Sequence, residues 1–78
     1  MPLTTNLYES KKMCDYEVAS VPEIGLLQNL GLRVGTTITV QNRYILGGPV
    51  LLRVNGAYSV AVGKDIAIQI AVKEVAAS

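Results

Sequence analysis

The chain has 78 residues, of which 50% are hydrophobic and 17% are charged, and its formal net charge is +1. This length allows one small domain, and the apolar content is high enough to offset the entropy that the chain loses on folding. No apolar run approaches the roughly 18 residues of a membrane-spanning helix, so direct membrane insertion is not expected. The net charge is low and Lys11-Lys12 is the only adjacent basic pair, which argues against nucleic acid as a partner.

Two features predict a cytoplasmic location. Residues 1–15 contain no continuous apolar run and therefore do not resemble a signal peptide. Cys14 is the only cysteine, whereas secreted domains of this size usually contain several disulfides. We therefore expect the protein to function in a reducing compartment.

The residue types that most often catalyse reactions or bind metals are scarce. Histidine is absent, which removes the commonest general base and the commonest transition-metal ligand. The acidic residues are scattered singly, and no zinc, EF-hand or facial-triad spacing occurs. The sequence therefore predicts no enzyme, no cofactor and no intrinsic metal site, except one built from carboxylates that only the fold would bring together.

The first part of the chain predicts an arm, a strand and a helix. Residues 1–15 are polar with scattered apolar positions and are predicted to form an irregular arm, whereas residues 16–19 alternate like a short strand. Ser20 and Glu23 have the spacing of a capping box, which predicts the start of a helix. Gly31 stands where a left-handed C-terminal cap would end that helix.

The middle of the chain predicts three strands. Residues 37–44 alternate between polar and apolar positions, as expected for a half-buried strand. Residues 50–54 and 57–62 are predicted to form a hairpin, because an Asn-Gly pair separates them. A two-residue turn at that pair would place Arg53 opposite Tyr58.

The end of the chain completes the predicted fold. Residues 64–69 predict one helical turn, residues 70–75 a last strand and residues 76–78 a frayed tail. The prediction is an all-β domain over residues 16–75, with one short helix, one helical turn and about five strands. We expect a small, partly open β-barrel, because closure removes exposed sheet edges.

Half-exposed rings and surplus leucines are the candidates for contact with a partner. Tyr44 lies beside a glycine turn and Tyr58 just past the hairpin tip, where a large ring is expected to be half exposed, and the alternative is that both rings cap the barrel ends. The helix has more leucines than one face can bury, so some should reach the surface. The predicted partner-binding residues are Leu26, Leu30, Arg43, Tyr44, Arg53 and Tyr58.

The order of these motifs resembles the FeoA family. The family's leucine-rich helix, its "LG-aliphatic-x-x-G" series, its "GGP" turn and its closing helical turn and strand all have counterparts here. The matching segments are residues 27–36 (LQNLGLRVGT), 38–40, 47–50 (GGPV), 61–67 and Ile70. The similarity covers about residues 16–75, whereas residues 1–15 depart from the family's leucine-rich first strand.

The resemblance implies an SH3-like barrel and a non-catalytic, cytosolic accessory protein of bacterial ferrous iron uptake. Such proteins are thought to dock on and modulate FeoB, a membrane transporter with a cytosolic G-protein domain. Similar barrels form the C-terminal domains of iron- and manganese-dependent repressors. The alternative is therefore a small domain that senses or delivers Fe(II) or Mn(II). The expected partners are a FeoB-type transporter and, weakly, a second copy of this chain.

Overall fold

The computed structural model describes residues 4–44 and 46–75, which form one antiparallel sheet with two short helices. The elements are β1 (Thr4–Asn6), a 3₁₀ turn (Leu7–Glu9), β2 (Asp15–Ser20), α1 (Gly25–Asn29), β3 (Thr37–Arg43), β4 (Val50–Val54), β5 (Tyr58–Val62), α2 (Lys64–Ala67) and β6 (Ala71–Glu74). The six strands lie in the order β1-β6-β2-β3-β4-β5. Among the described residues β1 and β5 do not pair with each other, so the sheet is not closed. The predicted all-β, partly open fold is confirmed, with six strands instead of about five.

The arm predicted to be irregular contains regular structure. Strand β1 pairs with β6, and Thr5 lies opposite Val72. Leu7, the first residue of the 3₁₀ turn, is fully buried. Its N–H donates a hydrogen bond of 2.8 Å to the carbonyl oxygen of Ile70. The prediction was therefore wrong for residues 4–9. Residues 1–3 of the arm, and the predicted tail at residues 76–78, lie outside the described part of the chain.

Helix α1 is shorter than predicted and begins later. Ser20 is the last residue of β2, so it does not cap the helix. Ile24 precedes the first helical residue and makes no side-chain cap hydrogen bond. The capping-box prediction was wrong because the strand pairing of β2 continues through Ser20.

The end of α1 has the geometry that the sequence predicts. Gly31 has a left-handed φ of 84°. Its N–H donates to the carbonyl oxygen of Gln28 at 3.0 Å, and the Leu32 N–H donates to that of Leu27 at 2.9 Å. This pair of bonds is a Schellman motif, and both leucines are buried in the core.

The β4–β5 hairpin has a different register from the predicted one. The Asn-Gly turn forms, with φ of 53° and 69° at its two residues, and the Ala57 N–H donates to the Val54 oxygen at 2.9 Å. However, Val54 pairs with Tyr58 and Arg53 pairs with Ser59, because Ala57 is an additional loop residue. This shift places Tyr58 on the same face of the sheet as buried Val54.

One face of the curved sheet and the inner sides of both helices form the core. Helix α2 packs against the 3₁₀ turn. The buried hydrophobic residues are Leu7, Tyr16, Val18, Leu27, Leu32, Ile38, Val40, Val50, Leu52, Val54, Val62, Ala67, Ile70 and Val72.

Candidate partner-binding surfaces

An open groove lies between the 3₁₀ turn and the loop that follows β3. Its volume is about 430 Å³, and we call it the tyrosine groove. It is lined by Tyr8, Glu9, Arg43, Tyr44 and Leu46. Two of the six predicted partner-binding residues, Arg43 and Tyr44, therefore lie in it.

Arg43 joins the two walls of the tyrosine groove. Its Nη1 atom donates hydrogen bonds to the carbonyl oxygens of Tyr8 at 3.0 Å and of Ser10 at 2.6 Å. Bonds from a charged guanidinium to carbonyl oxygens are stronger than bonds between neutral groups. Arg43 is half-buried. Because its two bonds reach residues of the 3₁₀ turn and its end, Arg43 holds this turn against β3 and positions the groove.

A β-bulge directs Tyr44 into the groove. The pairing of β3 with β4 shifts register between Val40 and Asn42, and the alternation of buried and exposed side chains is interrupted there. Val40 is fully buried, whereas Tyr44 is 48% exposed. The Tyr44 N–H donates to the Pro49 oxygen at 3.1 Å, which joins the end of β3 to the residue before β4.

Leu46 is the most exposed large apolar residue of the groove. Its side chain is 98% exposed, and its φ of 63° lies in the left-handed region. A non-glycine residue in this region costs roughly 1–2 kcal/mol. Unfavourable backbone geometry of this kind is concentrated at binding and switch sites. The position therefore combines strain with a side chain that the fold does not bury.

Tyr8 forms the opposite wall of the groove and is held by a cation. The Lys64 Nζ atom lies 5.3 Å from the centroid of the Tyr8 ring, within the range of a cation–π interaction. Lys64 is the first residue of α2, so this contact links the helix to the 3₁₀ turn. Lys64 thus lies over the Tyr8 ring, Arg43 bonds the main chain of the same residue, and Glu9 lines the same groove.

A second apolar surface lies around the end of α1, and we call it the helix patch. It consists of Leu26, Leu30 and Tyr58. Leu26 is 57% exposed, Tyr58 is 45% exposed and Leu30 is half-buried. The Tyr58 hydroxyl donates a hydrogen bond of 2.6 Å to the Leu30 carbonyl oxygen. The fold therefore brings together three of the predicted partner-binding residues, from a helix and a distant strand.

Arg53 lies apart from both surfaces. It projects from the outer face of the sheet, and its Nε atom donates to the Gly56 oxygen at 3.1 Å within its own hairpin. Its neighbours across the strands are Thr39 and Ser59. The structure places it away from the apolar residues of the groove and the helix patch.

Sequence reasoning missed three residues of the groove. Tyr8 and Glu9 belong to the arm that was predicted to be irregular, and Leu46 lies in a turn. The ring of Tyr8 and the position of Leu46 beside two glycines were the available signals. Neither signal shows which side chains meet, because the two walls of the groove are far apart in sequence. Arg43 and Tyr8, which are joined by a hydrogen bond, are separated by 35 positions.

The described residues contain no group of three or more histidine, cysteine or acidic side chains that could hold a metal ion. Cys14 is a free, partly buried thiol. Over residues 4–44 and 46–75, no helix has the length and apolar character that crossing a bilayer requires.

The sheet order, the two short helices and the open barrel define a small SH3-like domain. The family model of the FeoA domain matches residues 5–74. The chain therefore belongs to the FeoA family. The match begins within β1, which the sequence resemblance had not included. No curated protein is significantly similar to this chain in sequence.

Solved structures agree with this assignment. An iron uptake regulatory protein (FeoA) superposes with a TM-score of 0.84 at 26% identity, over 94% of this chain and 99% of that one. The FeoA protein from Chlorobium tepidum gives a TM-score of 0.80 at 29% identity, over 95% of this chain and 73% of that one. Both are similar to this chain along nearly its whole length.

A metal-dependent repressor contains a similar domain. ScaR, solved with bound Zn²⁺, gives a TM-score of 0.79 at 29% identity, over 91% of this chain. The matched part is only 37% of ScaR, so this chain corresponds to one portion of that protein.

Proposed function

We propose that this chain is a non-catalytic, cytosolic accessory protein of ferrous iron uptake that docks on a FeoB-type membrane transporter and modulates it. Membership of the FeoA family supports a role in ferrous iron uptake. The tyrosine groove supports docking on a protein partner as the way in which the chain acts. The single observation that carries the docking proposal is the exposure of Tyr44 and Leu46, at 48% and 98%, on a groove that Arg43 holds in shape.

The groove has the composition of a protein-binding surface. Tyrosine and arginine are enriched among the residues that contribute most to binding at protein interfaces. Arg43 holds the main chain of Tyr8 by a hydrogen bond, and Lys64 contacts its ring. The Tyr8 side chain therefore has little freedom left to lose on docking. The helix patch offers a second contact area of similar character. A partner that covers either surface would bury apolar side chains that the monomer leaves in water.

The test is a titration of the chain with the cytosolic part of the cognate transporter, with and without guanine nucleotide. We expect binding in the micromolar range or tighter, and at least a tenfold loss of affinity in Tyr44→Ala and in Leu46→Ala. Arg53→Gln is the control, because Arg53 lies on the outer face of the sheet. Absence of binding at high micromolar concentrations, or equal losses in all three variants, would overturn the proposal.

The second candidate is a domain that binds Fe(II) or Mn(II), for sensing or delivery. The similarity to ScaR, a manganese-activated repressor also solved with Zn²⁺, favours it. The lack of a three-ligand cluster in the described residues favours docking instead. An anaerobic titration separates the two, since stoichiometric metal binding supports the second candidate and its absence supports the first.

A further inference from the structure

The two edges of the sheet differ in length and composition. Among the residues that the structure describes, strand β1 spans Thr4–Asn6, and all three of these residues are polar. Strand β5 has five residues, Tyr58–Val62, none of them charged and none proline. Natural proteins protect sheet edges with short strands, charges, prolines or bulges. Strand β1 is short, whereas β5 has none of these features and pairs with β4 without a register shift.

We propose that β5 pairs antiparallel with β5 of a second copy of this chain, forming a two-fold symmetric dimer with one continuous sheet. An unpaired strand edge presents main-chain N–H and C=O groups that an extended strand satisfies. Within the described residues, the outer side of β5 has no strand neighbour. This inference does not depend on docking to a transporter.

The sequence of β5 is compatible with pairing to itself. With the symmetry axis at Val60, Tyr58 lies opposite Val62 of the second copy, and Ser59 lies opposite Ala61 of the second copy. No charges meet, and an aromatic ring facing a β-branched residue is a favourable cross-strand pair. Because the Tyr58 hydroxyl is already bonded to Leu30, its ring loses little freedom when the second strand arrives.

The asymmetry between the edges favours a closed pair over a growing fibre. A contact between identical strands uses each β5 once, so the assembly stops at two copies. Growth would require β1 to pair with a strand of another copy as well, and in the described part of the chain β1 offers three residues. A five-residue strand pair is much smaller than the interfaces of stable complexes, so the dimer should be weak.

Sedimentation equilibrium over about 10 μM to 1 mM of the intact chain tests the proposal. We expect the average mass to rise toward that of a dimer as concentration increases. Ala61→Lys should raise the dissociation constant at least tenfold, because Ala61 is exposed and two added lysines would lie close across the new strand pair. Thr37→Lys adds the same charge to the same outer face on a central strand and should leave dimerisation unchanged.

Isotope-filtered NMR on a mixture of labelled and unlabelled wild-type chain gives an independent readout if Ala61→Lys does not fold. Contacts between Val60 methyl groups of different copies support the proposal. A monomer up to 1 mM would overturn it and leave β5 available for a strand of another protein. Unchanged dimerisation of a folded Ala61→Lys, or contacts that exclude Val60, would also overturn it.

Discussion

The hydroxyl of Tyr58 and the carbonyl oxygen of Leu30 are joined by a hydrogen bond of 2.6 Å. This bond connects edge strand β5 to the end of α1, across 28 residues of sequence. Gly31 follows the accepting residue, and a Cβ atom on it would overlap the tyrosine hydroxyl. The absence of a side chain at residue 31 therefore leaves the space that the Tyr58 hydroxyl occupies.

Tyr58→Phe removes the hydroxyl and keeps the ring. We expect the free energy of unfolding to fall by about 0.5–1.5 kcal/mol, the usual net contribution of one hydrogen bond. Urea denaturation should show a lower midpoint with an unchanged slope. Tyr44→Phe is the matched control, because the Tyr44 hydroxyl makes no hydrogen bond to any residue of the described ranges. Equal losses in the two variants would contradict the assigned bond.

Gly31→Ala should lower the free energy of unfolding by at least about 1–2 kcal/mol, because alanine is disfavoured at a φ of 84°. The overlap with the Tyr58 hydroxyl adds to this loss. Thermal and urea denaturation measure the change. Gly25→Ala is the control, since a Cβ there meets nothing within 4 Å and alanine is the better helix former. A loss in Gly25→Ala as large as that in Gly31→Ala would refute the explanation.

The double variant Gly31→Ala/Tyr58→Phe tests whether the two residues are coupled. Phenylalanine lacks the oxygen that the new Cβ atom would meet, so the combined loss should be smaller than the sum of the single losses. A double-mutant cycle from urea denaturation gives the difference. Strict additivity would show that the unfavourable φ alone explains the Gly31→Ala result.

Arg43→Met should lower the free energy of unfolding by about 1.5–3 kcal/mol, because the half-buried guanidinium donates two hydrogen bonds to carbonyl oxygens. Amide hydrogen exchange should accelerate most in the 3₁₀ turn, which these bonds hold in place. Arg53→Met is the control, with an expected change within about 0.5 kcal/mol, because Arg53 is exposed. If the control loses as much stability as Arg43→Met, the positioning role of Arg43 is wrong.

Leu46→Gly should separate stability from docking. Glycine adopts a φ of 63° without strain, so we expect the free energy of unfolding to rise by about 0.5–1 kcal/mol after its larger chain entropy is subtracted. Affinity for the transporter should fall at the same time, because the variant removes a fully exposed leucyl side chain from the groove. Denaturation and titration of one preparation give both numbers. A less stable variant would show that the Leu46 side chain packs against the fold.

Local patterns in the sequence were sufficient to predict the elements that are stabilised by interactions between residues close in sequence. The strand at residues 50–54, the Asn-Gly turn and the Gly31 cap were predicted and are present. Each depends on interactions close in sequence, such as the two bonds of the Schellman motif. The order of these elements also carried the resemblance to the FeoA family.

Long-range pairing determined the features that local patterns predicted wrongly. Strand β1 has no apolar alternation and forms because β6 offers it a partner. Ser20 remains in β2 because its strand pairing extends to that residue, against the capping-box signal. A local preference for one type of secondary structure is worth only a fraction of a kilocalorie per mole per residue. Strand pairing therefore overrides it when a series of inter-strand hydrogen bonds can form.

The candidate surfaces could be predicted only in part. Exposed tyrosines and leucines can be chosen from composition and position. Five of the six chosen residues line the groove or the helix patch, namely Leu26, Leu30, Arg43, Tyr44 and Tyr58. One extra loop residue in the hairpin moved Tyr58 to the core face and away from Arg53. Which side chains meet depends on register and on closure of the sheet. Both are determined by the packing of the whole core, because a one-residue slip exchanges the two faces of a strand.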